Sequence, residues 1–186
     1  MGGLKKATMH LTEETLARAA RGDQEAFAEI VHQHQAMVFS LAYHFLNDVS
    51  LAEELAQEVF LQLYQSLSRI ESPAHVLFWL RKVTSHRCID WARRQNPRHQ
   101  LSLEDIPELP APVSPGDPML ARKLRQLVAA LPEKSRMIVT LRFQEGLQLA
   151  EIAEVLEIPI NTVKSQLQRS LAKLHEKLIA MEKLPV

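Results

Sequence analysis

The sequence predicts an all-α protein of two small helical domains joined by an extended, proline-rich acidic linker. Apolar residues recur at three- to four-residue spacing, and no segment alternates apolar and polar residues around an Asn-Gly-like turn. Six of the ten prolines lie between positions 97 and 118, and residues 100–118 hold four acidic side chains and no basic one. Proline fixes φ and removes a donor, so this stretch cannot be a helix. We therefore expect domains at 11–95 and 119–184, with the linker at 96–118.

Each domain is expected to contain four helices, because the apolar periodicity breaks at plausible caps and prolines. The caps are Thr12, Asp23 and Asn161, while Pro132 and Pro159 separate neighbouring helices. The eight expected helices are 12–21, 23–46, 49–69, 75–95, 119–130, 133–145, 148–156 and 161–182.

Composition excludes several classes of protein. The chain has 186 residues, 46% of them hydrophobic, which is ordinary for a globular protein rather than a disordered one. Its single cysteine, Cys88, excludes an intramolecular disulfide and a CxxC metal site, and is typical of a reducing compartment. The N-terminus lacks the apolar core of a signal peptide, and no apolar run is long enough to cross a bilayer. We expect a cytoplasmic protein without cofactor, small-molecule substrate or membrane insertion.

The formal net charge is zero, with 22 basic and 22 acidic residues, but the charges form blocks. Residues 11–71 and 100–118 are acidic, whereas 72–99 and 119–186 are basic. Neutrality is therefore a cancellation between segments, and such asymmetry indicates separate surfaces for separate partners.

Residues 149–165 have the dimensions of a helix-turn-helix: about eight helical residues, a short turn and a second helix. The residues expected to face inward on the second helix are Val163, Leu167, Leu171, Leu174 and Leu178. The opposite face mixes base-reading and phosphate-binding side chains. These are Asn161, Thr162, Lys164, Ser165, Gln168, Arg169 and Lys173. A helical hairpin with a solvated face is the alternative, but the small Ala153, the turn and the charge together favour DNA binding.

Two helices of the first domain carry opposite charge. The helix at 49–63 presents an acidic patch of Glu53, Glu54, Gln57 and Glu58, which a purely solvated face would also explain. The helix after it interleaves aromatic residues with a basic stripe, a pattern typical of nucleic-acid contact. Its two tryptophans, Trp79 and Trp91, are more simply core residues, as is Cys88.

The chain resembles the extracytoplasmic-function (ECF) group of bacterial RNA polymerase sigma factors over roughly residues 11–184. Several separated motifs occur in the family's order. In the first domain they are Ala26-Phe27, residues 52–60 (AEELAQEVF), Trp79-Leu80, Asp90 and Arg93-Arg94. In the second they are Leu131-Pro132, Arg136, Leu141-Arg142-Phe143, Glu145-Gly146-Leu147, Glu151-Ile152-Ala153 and Thr162-Val163-Lys164-Ser165.

This resemblance implies a sigma2-like domain, a sigma4-like domain and three sets of contacts. Glu53, Glu54, Gln57 and Glu58 would bind the β′ clamp of core RNA polymerase. The minus-10 promoter element would contact Arg81, Lys82, Ser85, His86, Arg87, Arg93 and Arg94, with a base pocket in the loop at 69–75. The minus-35 element would contact Arg142 and the seven polar residues of the recognition helix. The resemblance also implies an anti-sigma partner, and a linker route near the RNA exit path.

Some residues depart from the family pattern. Glu157 stands in the turn where glycine is usual, and a positive φ there would cost a non-glycine residue roughly 1 kcal/mol. Asn161 replaces another usual glycine, His86 a usual asparagine and Gln166 a frequent arginine.

Two other functions compete with the sigma-factor hypothesis. A stand-alone helix-turn-helix regulator, with the first domain as a sensor or dimerisation module, predicts tight duplex binding without polymerase. An enzyme would have to use the histidines, but His32 and His34 point about 200° apart on a helix and no His-Glu-x-x-His motif occurs. We therefore expect no catalytic activity.

Overall fold

The computed structural model describes residues 11–95 and 118–182, which form helices and contain no strand. The helices are α1 (Glu13–Ala20), α2 (Gln24–Leu46), α3 (Val49–Ser66), α4 (Pro73–Gln95), α5 (Pro118–Ala129), α6 (Glu133–Phe143), α7 (Leu149–Leu156) and α8 (Ile160–Glu182). A 3₁₀ turn, Leu67–Arg69, follows α3. The all-α prediction is confirmed. Residues 96–117 of the expected linker lie outside the described residues, whereas Pro118 is already the first residue of α5, a position that suits proline.

Polar side chains fix where the first helices begin. Thr12 accepts a hydrogen bond from the backbone N–H of Thr15 at 3.1 Å, and Asp23 accepts one from Ala26 at 3.1 Å. Asp23 also pairs with Arg18, whose Nη2 lies 2.6 Å from its carboxylate. Both predicted caps are thus confirmed, and Asp23 additionally ties the end of α1 to the start of α2.

The beginnings of α3 and α8 differ from the prediction. The α3 cap is Asp48, which accepts from the N–H of Leu51 at 3.0 Å and was not predicted. Asn161 was predicted to cap α8, but α8 begins at Ile160 and the Pro159 carbonyl accepts the first helical hydrogen bond. The prediction for Asn161 was wrong, since the helix starts one residue earlier. Pro159 suits the position before Ile160, because a residue there needs no N–H for a hydrogen bond within the helix.

The first domain packs α1, α3 and α4 around α2. Its largest side chains that are under 2% exposed come from three helices: Ile30, Val38, Leu41, Phe45, Val59, Leu63, Val76 and Leu80. Each such side chain contributes about 1.5–3 kcal/mol of hydrophobic stabilisation relative to exposure. The long α2 therefore forms the axis of this domain.

The second domain packs α8 against α5, α6 and α7. The predicted inward stripe of α8 is correct except at one position. Leu171 is 41% exposed, and Ser170 is buried instead, with its hydroxyl donating to the Gln166 carbonyl at 2.8 Å. A 3.6-residue repeat places 163, 167, 170, 174 and 178 on one side of the helix. Ser170 therefore faces inward, although Leu171 is the more apolar residue.

The two domains pack directly on each other. α2 and α4 contact α6, and α4 also contacts α7. One continuous core cluster contains residues of both domains, among them Cys88, Ile89 and Ala92 of α4, Met137 and Leu141 of α6, and Leu156 of α7. The basic helix α4 is thereby placed between the first domain and the helix-turn-helix.

Replacing Asp23 tests the link between α1 and α2. Asp23→Ala should lower the melting temperature by roughly 2–4 °C, because the cap is lost. Asp23→Asn keeps a good cap and should cost only a few tenths of that. Chemical denaturation followed by circular dichroism checks both, and equal losses would show that the ion pair, not the cap, dominates.

The contribution of Asp23 to stability should depend on pH. The Ala26 N–H, followed by Arg18, lowers the pKa of Asp23 in the folded protein. Because the folded-state pKa is lowered, the stabilisation of the fold by Asp23 is complete above the unfolded pKa of about 3.9. It is lost as the pH falls through the folded-state pKa. The difference in stability between wild type and Asp23→Ala should therefore be constant near neutrality and shrink below about pH 4. Denaturation at pH 7, 4 and 2.5 measures it.

Candidate nucleic-acid interface

Helix α4 buries one side and exposes basic residues on another. It starts after Ser72, whose hydroxyl accepts from the N–H of His75 at 3.2 Å. Val76, Leu80 and Cys88 are buried along its inner side. Trp79 and Trp91 are half-buried and pack against the core, as expected of anchoring residues.

The outer basic residues at the C-terminal half of α4 contact acidic side chains of their own domain. Arg87 lies 2.8 Å from the carboxylate of Glu58 and also donates to the Gln62 amide oxygen at 3.0 Å. Arg93 lies 3.7 Å from Asp90 on the same helix. All of these groups are substantially exposed, so phosphate oxygens could replace the carboxylates at low cost.

The basic residues at the middle of α4 contact the second domain instead. Arg81 Nε lies 3.3 Å from Glu145 Oε2 in the turn after α6, and Lys82 Nζ lies 2.8 Å from Glu157 Oε1 in the helix-turn-helix turn. His86 is half-buried nearby and lines a small cavity with Lys134 and Leu156. Sequence reasoning missed these pairs, since no local pattern links residues 64 and 75 positions apart.

Ser85 is not exposed on this surface. It was predicted to contact the minus-10 element, but its side chain is fully buried and its hydroxyl has no hydrogen-bond partner among the described residues. Its burial keeps it from contacting DNA in this arrangement of the helices, and the contact expected of Ser85 stays a prediction.

Helix α3 presents the predicted acidic patch. Glu53, Glu54, Gln57 and Glu58 are all exposed. Two apolar side chains that were not predicted extend the same face, Leu61 at 61% exposure and Tyr64 at 44%. Gln57, Leu61 and Tyr64 follow each other at four- and three-residue spacing, so they share one side of the helix. Leu61 could have been noticed in the sequence because it falls off the inward stripe of α3.

The turn between α7 and α8 takes a left-handed conformation at Glu157, with φ 54° and ψ 45°. The next N–H, that of Ile158, donates to the Ala153 carbonyl at 3.1 Å, which closes α7 as a glycine normally would. The cost anticipated for a non-glycine residue, roughly 1 kcal/mol, thus applies, while the turn keeps its regular hydrogen bonds.

Arg142, predicted to contact the minus-35 element, holds the loop that precedes α7. Its Nη1 donates to the Leu147 carbonyl at 2.9 Å and lies 3.3 Å from the Gln148 side-chain oxygen. The N–H of Gln148 in turn donates to the Glu151 carboxylate at 2.7 Å, which caps α7. Arg142 is half-buried, so its first effect is to orient the helix-turn-helix.

The predicted polar face of α8 is accessible. Its exposed members are Asn161, Lys164, Gln168, Arg169 and Lys173. Thr162 and Ser165 are half-buried, and the Ser165 hydroxyl donates to the Thr162 carbonyl at 3.1 Å. Arg169 Nε donates to the Ser165 carbonyl at 3.2 Å, so its guanidinium lies along the helix. Asn161, Lys164 and Gln168 follow each other at three- and four-residue spacing and share one helix face, as a major-groove reader requires, whereas Lys173 lies about 180° from Lys164 around the helix.

The described residues give little support for a reactive cysteine, a metal site or a membrane-spanning helix. Cys88 is fully buried, and burial raises the pKa of its thiol well above the ordinary value, so a reactive thiolate is disfavoured. Within 11–95 and 118–182, no group of three or more His, Cys, Asp or Glu side chains is arranged to hold a metal ion. None of the helices in these ranges has the length and apolar character needed to span a membrane.

Comparison with known proteins matches both domains to one family. Residues 30–98 match sigma-70 region 2, and residues 121–174 match sigma-70 region 4. The chain is 29% identical to the ECF RNA polymerase sigma factor SigW of Bacillus subtilis over 181 residues, covering 90% of this chain and 97% of that protein. It is 30% identical to the ECF RNA polymerase sigma-E factor of Escherichia coli K12, covering 86% and 91%.

A solved structure has the same fold. CnrH, determined in complex with the cytosolic domain of CnrY, superposes with a TM-score of 0.67 at 22% identity, covering 91% of this chain and 98% of that one. The two helical domains, their order along the chain and the helix-turn-helix thus agree with the sequence matches, and the chain belongs to the ECF group of the sigma-70 family of RNA polymerase sigma factors.

Proposed function

We propose that this sigma factor binds core RNA polymerase through α3 and positions it on promoters through α4 and α8. The observation that supports this division most directly is the separation of charge on the surface. The α3 face is acidic and carries exposed Leu61 and Tyr64, whereas the accessible faces of α4 and α8 are basic. Proteins and nucleic acid would therefore meet different sides of the molecule.

The α3 surface combines two kinds of contact. Glu53, Glu54 and Gln57 supply charge and hydrogen-bond acceptors for a basic partner helix, and Leu61 and Tyr64 supply apolar area next to them. Exposed aromatic and aliphatic side chains ringed by charge are typical of protein interfaces. Glu58 differs from its neighbours, because its contact with Arg87 couples the polymerase-facing helix to the promoter-facing helix.

The two basic surfaces would act at different steps. On α4, Arg87, Arg93 and Arg94 are exposed and would bind the backbone of the separated minus-10 strand, with phosphates replacing Glu58 at Arg87 and Asp90 at Arg93. On α8, Lys164 and Lys173 would bind phosphates while Asn161 and Gln168 read base edges in the minus-35 major groove. Core polymerase and promoter DNA are the partners of this role, and an anti-sigma factor remains an expectation from the family.

Charge reversal on α3 tests the polymerase surface. Glu53→Lys with Glu54→Lys should abolish co-purification with core polymerase, because two attractive charges become repulsive ones at an interface. The matched control is Glu14→Lys with Glu25→Lys, which changes the charge equally on the exposed surface of α1 and α2. Circular dichroism confirms that both variants fold. Retained co-purification of the α3 variant would contradict the assignment.

Alanine at Lys164 tests the recognition helix. The salt dependence of promoter binding by the holoenzyme should lose about one unit of slope, because one phosphate contact and its released counterion are lost. Lys177→Ala, an exposed lysine farther along α8, is the control and should leave the slope unchanged. Fluorescence titration of a labelled promoter at several salt concentrations measures both slopes. If the two variants behave alike, Lys164 contributes no more than general charge.

A further inference from the structure

Arg87 of α4 is held by two residues of the neighbouring helix α3. Its Nη1 donates to the Glu58 carboxylate at 2.8 Å, and its Nη2 donates to the Gln62 side-chain oxygen at 3.0 Å. Glu58 and Gln62 are four residues apart, so they lie on the same side of α3. The two contacts together fix both terminal nitrogens of the guanidinium at the surface of the first domain.

Glu58 and Gln62 hold Arg87 in chemically different ways. The carboxylate is negatively charged, so it competes with any phosphate for the guanidinium, and in the proposed function Glu58 also belongs to the polymerase surface. The amide of Gln62 is neutral, and its hydrogen bond leaves the positive charge of Arg87 uncompensated. Of the two contacts, the one from Gln62 does not oppose the binding of an anion.

Arg87 retains enough donors for a phosphate while it is bound to Gln62. A guanidinium has five N–H donors, of which Gln62 accepts from one and Glu58 from another. When a phosphate replaces Glu58, four donors remain, and a bidentate contact needs two of them. The hydrogen bond to Gln62 is therefore compatible with a bidentate phosphate contact.

Gln62 is also the better anchored of the two partners. It is half-buried, whereas the side chain of Glu58 is 51% exposed. Ordering a free, flexible side chain on binding lowers affinity roughly two- to tenfold, and a contact that is already in place reduces this loss. A side chain whose own position is fixed by packing is suited to hold a binding residue in one orientation.

We propose that Gln62 is a positioning residue for promoter binding. It holds the Arg87 guanidinium at the surface of α4, so that a phosphate of the separated minus-10 strand can replace Glu58 while Arg87 stays ordered. This inference rests on the proposed role of Arg87 at the minus-10 element and adds a residue to it. Gln62 acts through Arg87 and touches neither DNA nor polymerase.

Binding of a single-stranded minus-10 oligonucleotide by the holoenzyme tests this role. Gln62→Ala should weaken binding about two- to fivefold, because the strand alone must then order Arg87. The slope of log affinity against log salt concentration should stay at the wild-type value, since the phosphate contact remains. Arg87→Ala should instead lower that slope by about 0.7, the value for one phosphate of a single strand. Fluorescence anisotropy of the labelled oligonucleotide at several salt concentrations measures both quantities.

A double-mutant cycle shows whether Gln62 acts through Arg87. Once Arg87 is replaced by alanine, Gln62→Ala should have no further effect on oligonucleotide affinity. Gln65→Ala changes an exposed glutamine of the same helix, so it is the matched control and should bind as the wild type does. An equal loss from Gln62→Ala in both backgrounds would overturn the proposal.

Two further measurements separate positioning from packing and from polymerase binding. Gln62→Met keeps the length of the side chain but removes the acceptor, so it should match Gln62→Ala. Wild-type affinity in this variant would show that packing suffices and would contradict the proposal. Affinity for core polymerase should be unchanged in both Gln62 variants, and a loss there would instead assign Gln62 to the polymerase contact.

Arg87→Ala distinguishes failure of this inference from failure of the proposed function. If Arg87→Ala leaves affinity and salt slope unchanged, the proposed role of Arg87 at the minus-10 element fails, and the positioning role with it. If Arg87→Ala weakens binding but Gln62→Ala does not, the role of Arg87 stands and the positioning role alone is rejected.

Discussion

The position of α4 is the constraint on which the rest of the structure depends. Its 23 residues pack on α2 and α3 of the first domain and on α6 and α7 of the second, within one continuous core cluster. Cys88, Ile89 and Ala92 make this possible, because small and medium side chains let two helix pairs approach one helix. The rest of the helix surface carries the cations proposed to face DNA, and two of them, Arg81 and Lys82, also contact the second domain.

Polar groups buried beside α4 lower the stability that this packing provides. Thr84 and Ser85 are fully buried, and their hydroxyls, like Nε2 of His34 on the facing α2, have no hydrogen-bond partner among the described residues. Each unsatisfied group costs about 1–3 kcal/mol. Burial also lowers the pKa of His34, and Arg81 adds to this, which keeps the imidazole neutral next to the cation. The packing that holds α4, the helix proposed to bind the minus-10 strand, is thus weakened by these unsatisfied groups.

Local patterns predicted most of the fold and part of the site. Apolar periodicity located every described helix within a few residues, and short polar side chains identified two of the caps, because both depend on neighbours in sequence. The errors at Asn161 and Leu171 are one-residue shifts in the position of a helix start and of the inward side, which periodicity does not resolve. The pairs of Lys82 and Arg81 with the second domain could not be predicted, since they depend on how two distant units pack.

The distribution of charge acquires a spatial meaning in the folded chain. Zero net charge reflects acidic and basic blocks, and three pairs of opposite charges meet between distant parts of the chain: Glu58 with Arg87, Glu145 with Arg81 and Glu157 with Lys82. Free DNA would have to displace these carboxylates, which weakens its binding. A protein of zero net charge offers little long-range attraction to compensate. In the proposed role, polymerase would hold the promoter beside the same cations at high effective concentration, so exchange of carboxylate for phosphate would become an intramolecular step. Promoter binding that depends on polymerase would then follow from where the charges lie as well as from their sum.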